Sequence, residues 1–299
     1  MKQERALLVG DNPFNNISHL SQDRARARGN SLTPEIATDL TITAIENGAN
    51  GFLFSVSETT LTILEKMRQK GEIKRLRLFA IMPYAYEYVR LATQVGGLSG
   101  LAKIFAKRLV ASKNVGSLVG GLKGVVFSDP IALMKAYLTY EIQRVRSYSG
   151  EDANLSCVML HEVITDMALA LNMDGFLGSF VDFISRRGMT PGFNTCNFTY
   201  LVNRFREWKI DLGKVIVAAP FNKVGFQMNP SKEECEKSLR DMPRPNVIAI
   251  SIMAAGYLTP EDGVGYIRSL PNILGVAVGV SKDKQARDTF KLLSEQLRI

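Results

Sequence analysis

The chain has 299 residues, enough for one (β/α)8 barrel or for two smaller domains. Hydrophobic residues make up 46% and charged residues 22%, the balance of a packed globular protein, which excludes a disordered, collagenous or fibrous chain. Thirty-seven Lys and Arg against 29 Asp and Glu give a net charge of +8, but the basic residues are dispersed and no nucleic-acid or zinc spacing accompanies them. A small anionic ligand is therefore the expected partner, and nucleic acid is not.

No apolar run reaches the roughly 18 residues of a membrane helix. The start, Met1-Lys2-Gln3-Glu4-Arg5, leads directly into a short apolar run with no secretory h-region. Cys157, Cys196 and Cys235 are too few and too far apart for a disulfide framework. A cytoplasmic protein without a membrane partner is expected.

In chain order, the first apolar run covers residues 6–9 and ends in Gly10-Asp11-Asn12-Pro13, with His19 a few residues on. Thr33-Pro34-Glu35 then offers an N-cap, a first-turn proline and an acid, and Asn47-Gly48 closes that helix. The second run, 51–56, ends in Ser55, Ser57 and Glu58, and Lys70-Gly71 stops the helix behind it. The third, 76–82, runs into Met82-Pro83-Tyr84. Residues 84–128 exceed what a strand-to-helix connection needs. They hold Tyr84, Tyr86 and Tyr88, a Gly-rich stretch, a basic amphipathic piece and four more glycines in 116–124. A lid or a homo-oligomer contact is expected of this insertion. Asp129-Pro130 opens a helix running to about Ser147. Further runs lie at 155–160, 189–193, 215–219, 247–250 and 275–278, with helix signals at Arg187-Gly188, Ser231 to Glu234 and Thr259-Pro260-Glu261.

Runs such as Val215-Ile216-Val217-Ala218-Ala219 are apolar throughout, as strands buried on both faces require. Eight of them alternating with helices predict a (β/α)8 TIM barrel, one domain over residues 1–299 with 84–128 inserted after the third strand. A doubly wound sheet is the alternative, and Gly10-Asp11-Asn12-Pro13 is not its Gly-rich phosphate turn.

Barrel chemistry collects at the C-terminal ends of the strands. Both histidines of the chain, His19 and His161, fall at such ends. His161 is the candidate general acid or base, with Glu162 or Glu58 beside it. Asn12, His19, Tyr84, Asn194, Asn222 and Lys223 are candidate substrate contacts. Lys223 would form a Schiff base if desolvated, and Cys196 would be a nucleophile only with a base at hand. Asp11, His19, His161 and Glu162 lack ligand spacing, so no metal site is expected. Gly279-Val280-Ser281-Lys282 opens the last helix, where backbone N–H groups and a lysine suit a phosphate, with Ser251 and Gly256 on the facing loop.

Several of these segments carry a resemblance. The end of the chain, Val276-Ala277-Val278-Gly279-Val280-Ser281 and its helix, resembles the last strand and cofactor-phosphate loop of the aldo-keto reductase-like barrels. Gly256-Tyr257-Leu258-Thr259-Pro260-Glu261, Gly48-Ala49-Asn50-Gly51-Phe52 and Leu160-His161 are similar to other parts of that group. The resemblance implies a TIM barrel, NADP(H) as the cofactor, and His161 at the catalytic histidine. It also implies an aspartate and a tyrosine after strand two and a lysine ending strand three. This chain has Phe54-Ser55-Val56-Ser57-Glu58 and Ile81-Met82-Pro83 there instead.

Three functions follow as expectations: a reductase-like enzyme on a small phosphorylated or carboxylated compound, a Schiff-base aldolase or lyase using Lys223, and a non-catalytic binding or scaffold barrel.

Overall fold

The computed structural model describes residues 5–15, 32–83 and 129–297. His19, Tyr84 and the inserted segment 84–128 lie outside them.

Parallel strands pair in sequence order and close into a barrel. They are β1 (Ala6–Gly10), β2 (Gly51–Ser55), β3 (Arg77–Met82), β4 (Asn154–Leu160), β5 (Thr190–Asn194), β6 (Ile216–Pro220), β7 (Val247–Ile250) and β8 (Ile273–Val278). The helices are α1 (Pro34–Glu46), α2 (Glu58–Gln69), α3 (Pro130–Ser149), α4 (Glu162–Ala170), α5 (Asp174–Ser185), α6 (Phe198–Glu207), α7 (Lys232–Arg240), α8 (Pro260–Arg268) and α9 (Asp283–Leu297). The eight apolar runs are the eight strands, so the barrel expected from the sequence is the one observed.

The punctuation works as read. Thr33, Ser231 and Thr259 each accept a backbone N–H from the third residue on, at 3.4, 3.2 and 3.2 Å, and Asp129 accepts from Ile131 N at 2.8 Å. Gly48 and Gly71 leave their helices with φ of 106° and 76°, a backbone that a side chain disfavours.

Side chains alternate across each strand, which produces two apolar layers. Phe52 and Phe54 stack at 5.0 Å beneath the helices, while Leu53 between them points into the barrel beside Leu8, Phe79, Ile81 and Met159. Outside, Phe193 packs edge-on against Phe180 and Phe205, all fully buried. Each such ring contributes about 2–3 kcal/mol of hydrophobic stabilisation. Among the described residues no helix is long and apolar enough to cross a membrane.

Candidate active site

The same alternation sets the floor of the site. Continuing the inward set by two residues leads from Leu8 to Gly10, Leu53 to Ser55, Met159 to His161, Gly192 to Asn194 and Ala277 to Gly279. These strand ends, with loop residues including Asp11, Asn12, Glu162, Cys196, Gln227, Ser251, Gly256 and Ser281, line a cavity of about 290 Å3.

Asp11 is 4% exposed, and its Oδ2 accepts from Ser55 N at 2.7 Å and Asn15 Nδ2 at 2.8 Å. Burial pushes its pKa up to about 7 in spite of those hydrogen bonds. His161 ends the β4 side of the mouth and is 5% exposed. It caps α4: Nδ1 accepts from Val163 N at 3.2 Å. A ring whose Nδ1 accepts carries its proton on Nε2 when neutral. Burial lowers its pKa to about 4, so the ring is neutral through the physiological range.

Below them, Asp166 ties down the loop after β5. It accepts from the Thr195 hydroxyl, from Asn197 Nδ2 at 2.9 Å and from Cys196 N at 3.3 Å. Cys196 Sγ donates to Glu162 Oε2 at 3.7 Å, and burial, with the charges of Glu162 and Asp166, pushes the thiol up to about 12. This is the opposite of nucleophile activation. Iodoacetamide at pH 8 is expected to label Cys196 at least tenfold more slowly than free cysteine; labelling at the free rate would show a thiolate there.

Asn194 is 9% exposed, and its Oδ1 has no hydrogen-bond partner among the described residues. The β7 side of the mouth stores strain: Ser251, Ala254 and Ala255 have φ of 53°, 46° and 59°. Left-handed backbone at non-glycine residues costs about 1 kcal/mol or more each, and such strain gathers at functional sites.

The expected anion cradle has other occupants. A Cβ on Gly279 would lie 2.6 Å from Pro13 Cδ, so this glycine makes room for Pro13. Ser281 N donates to Gln285 Oε1 at 3.1 Å. Asp283 heads α9, accepting from Thr43 Oγ1 at 2.9 Å and Arg287 at 3.0 Å, and its charge opposes an anion at that helix start. Lys282 is exposed and does not line the cavity.

His161, Glu162, Asn12, Asn194, Ser251, Gly256, Gly279 and Ser281 thus come together at the mouth, and other sequence candidates do not. Glu58 is 71% exposed and pairs with Arg144 on α3. Asn222 is fully buried, with its amide bonded to Phe226 N and O at 2.8 Å, which shapes its own loop. Lys223 pairs with Asp262 at 2.9 Å on the outer surface, in a shallow depression with Thr259 and Tyr266. It stands outside the mouth, away from His161 and Asn194. Asp11 is a titratable group of the mouth that the sequence marks only by its position directly after β1. Gln227 had no local signal; it reaches the mouth through a loop with φ of 59°.

A closed parallel barrel with titratable groups at its C-terminal mouth has the layout of a (β/α)8 barrel. Its fold is similar to that of solved barrels. Two solved structures, each described as a "putative aldo-keto reductase" from Pseudomonas aeruginosa, superimpose with TM-scores of 0.59 and 0.58. Both are 11% identical to this chain, with 97% of it covered and 90% and 89% of theirs. The sequence matches no protein-family model and no curated protein.

Proposed function

We propose that the mouth performs general acid–base chemistry on a small carbonyl compound, with Asp11 and His161 as the proton-transferring pair. The observation that carries this is the placement of two buried titratable groups on one cavity, with pKa values displaced in opposite directions. Near neutral pH Asp11 exchanges its proton readily, while the neutral His161 ring carries its proton on Nε2. The ionised Asp11 would take a proton from the carbon beside the carbonyl, and His161 would donate to the carbonyl oxygen as charge develops there. Where the α-carbon bears a hydroxyl, Asp11 returning its proton to the former carbonyl carbon while the α-hydroxyl returns a proton to His161 completes an isomerisation; return of both protons to where they came from gives exchange with solvent.

Incubation in D2O with a panel of small hydroxy-ketones and hydroxy-aldehydes tests it. The expected result is enzyme-dependent loss of the α-proton NMR signal for at least one compound, about a hundredfold slower in His161→Gln. No exchange with any compound, or an unchanged rate in the variant, would overturn the assignment.

Nicotinamide-dependent reduction is the second reading, favoured by the fold likeness. The residues present do not fit the cofactor. Ser55 and Ile81 line the mouth where the resemblance calls for an acid tyrosine's neighbourhood and a lysine, and in the expected phosphate loop Ser281 N is already bonded to Gln285 Oε1. The expected outcome is no change in NADPH fluorescence at millimolar protein-accessible cofactor; micromolar binding would reinstate reduction. Borohydride trapping is likewise expected to leave Lys223 unmodified.

A further inference from the structure

We propose that the outer face of α4 is a docking surface for the chain's own insertion, and that the amphipathic stretch 101–111 covers it. The proposal concerns the outside of the barrel and stands apart from the chemistry assigned to the mouth.

α4 is turned the opposite way to an ordinary outer helix of a barrel. Its polar side chains face inward. Glu162 Oε2 accepts from Cys196 Sγ at 3.7 Å, the Thr165 hydroxyl donates to Leu160 O at 3.3 Å, and Asp166 accepts from Asn197 Nδ2 at 2.9 Å. Its exposed residues are Val163, Met167 and Ala170, followed by the capping Leu171, and all are apolar. Val163, Met167 and Leu171 stand four residues apart, hence on one side of the helix, and are 46%, 49% and 64% exposed. The exposed residues of α7, by contrast, are Glu233, Glu234, Lys237 and Arg240. Single exposed apolar side chains are ordinary, but a continuous apolar row on a helix marks a contact surface.

The chain brings a matching piece to this face. Met82 pairs with Leu160, and His161 N donates to Met82 O at 3.1 Å, so the insertion leaves the barrel beside the first turn of α4. It re-enters at Asp129, which caps the head of α3. The 9 residues of α4 rise about 14 Å, and the stretches 84–100 and 112–128 can each extend over about 55 Å, so both connections reach. Within 101–111, Leu101, Ile104, Phe105 and Leu109 recur at the spacing of one helical face, with Lys103 and Lys107 off it. Residues 84–128 hold six Lys and Arg against the single acid Glu87. On α5, which packs against α4, Asp174 and Asp182 are exposed and have no ion-pair partner among the described residues. A basic stretch complements them, whereas a two-fold contact between copies would set these acids against their own kind.

Two measurements on the full-length protein test this. In the first, Ala170→Cys is labelled with a benzophenone maleimide at neutral pH, where the native Cys196 thiol stays protonated. Irradiation at low micromolar protein is expected to give crosslinks within one chain, mapped by mass spectrometry to residues 101–111. In the second, tryptic cleavage after Lys103, Lys107 and Arg108 is expected to be about tenfold faster in Met167→Asp than in the wild type, and unchanged in Arg240→Asp on α7. Both substituted residues are exposed, and cooperative urea unfolding verifies each fold; Leu171→Asp replaces Met167→Asp if that variant does not fold. The proposal is overturned by crosslinks that miss 101–111, whether they join two chains or fall on α5 and α6. Equal cleavage rates in the wild type and the α4 variant would overturn it as well.

Discussion

Asp11→Asn is expected to stabilise the protein at pH 8 by about 3 kcal/mol while lowering turnover a hundredfold or more. The stability effect follows from burial. The folded pKa of Asp11 is raised from 3.8 to about 7, so the fold favours its protonated form. That contribution is complete below about pH 4 and is lost as pH rises through 7, where the carboxyl must ionise without water. A shift of this size corresponds to about 4 kcal/mol, less about 1 kcal/mol for hydrogen bonds that the amide makes less well. His161 runs the other way. Its folded pKa is lowered from 6.5 to about 4, so its contribution is complete above pH 6.5 and is lost as pH falls toward 4. The wild type therefore carries two opposed slopes between pH 4 and 6.5, and the variant keeps only the rising one. Urea denaturation from pH 4 to pH 8 measures the difference, in which all other titrating groups cancel. Parallel profiles for the two proteins would mean that Asp11 is solvated and ionises freely. A gain in stability paired with a loss of activity is the signature of a residue retained for function.

The architecture was legible because its signals are local and repeated. Apolar runs such as 215–219 have the length and composition of doubly buried strands, and Thr33-Pro34-Glu35 and Thr259-Pro260-Glu261 mark helix starts by the same chemistry that the structure shows. The site was legible in part. His161 and Asn194 follow from the two-residue period carried past a strand end, and both line the mouth. Lys223, Asn222 and Glu58 also follow strands, yet each turns to a partner elsewhere: Asp262, Phe226 and Arg144. Those partners are 39, 4 and 86 residues away in the chain, and no spacing rule tells which polar residue at a strand end will find one. Gly279 shows a further limit. Sequence alone reads a glycine before a helix as a phosphate approach, and in the fold that space belongs to Pro13, brought there by the pairing of β1 with β8. Gly279→Asp, which would be a clean probe of an open anion cradle, instead drives a side chain into Pro13, two residues from Asp11.

That closure of β1 on β8 is also where a single methyl group is expected to do most harm. In the register of the closing pair Ala6 stands opposite Gly275, followed by Leu7 opposite Val276 and Leu8 opposite Ala277. A Cβ on Gly275 would fall on the backbone carbonyl oxygen of Ala6, with the Ala6 Cβ at 2.6 Å. Neither atom is the end of a flexible side chain, so relief requires the strands to separate where the barrel seals. Gly192 gives the control: a Cβ there would meet the side chains of Met159 and Cys157, and an unbranched methionine can repack. Gly275→Ala is therefore expected to cost about 3 kcal/mol or more, and Gly192→Ala about 1 kcal/mol. The effect should reach the mouth, because β1 carries Asp11 directly beyond its last residue, Gly10. Urea midpoints for the two variants, with the α-proton exchange assay on whichever folds, measure both consequences. Equal midpoints for Gly275→Ala and the wild type would show that β1 and β8 do not approach as closely as this register requires.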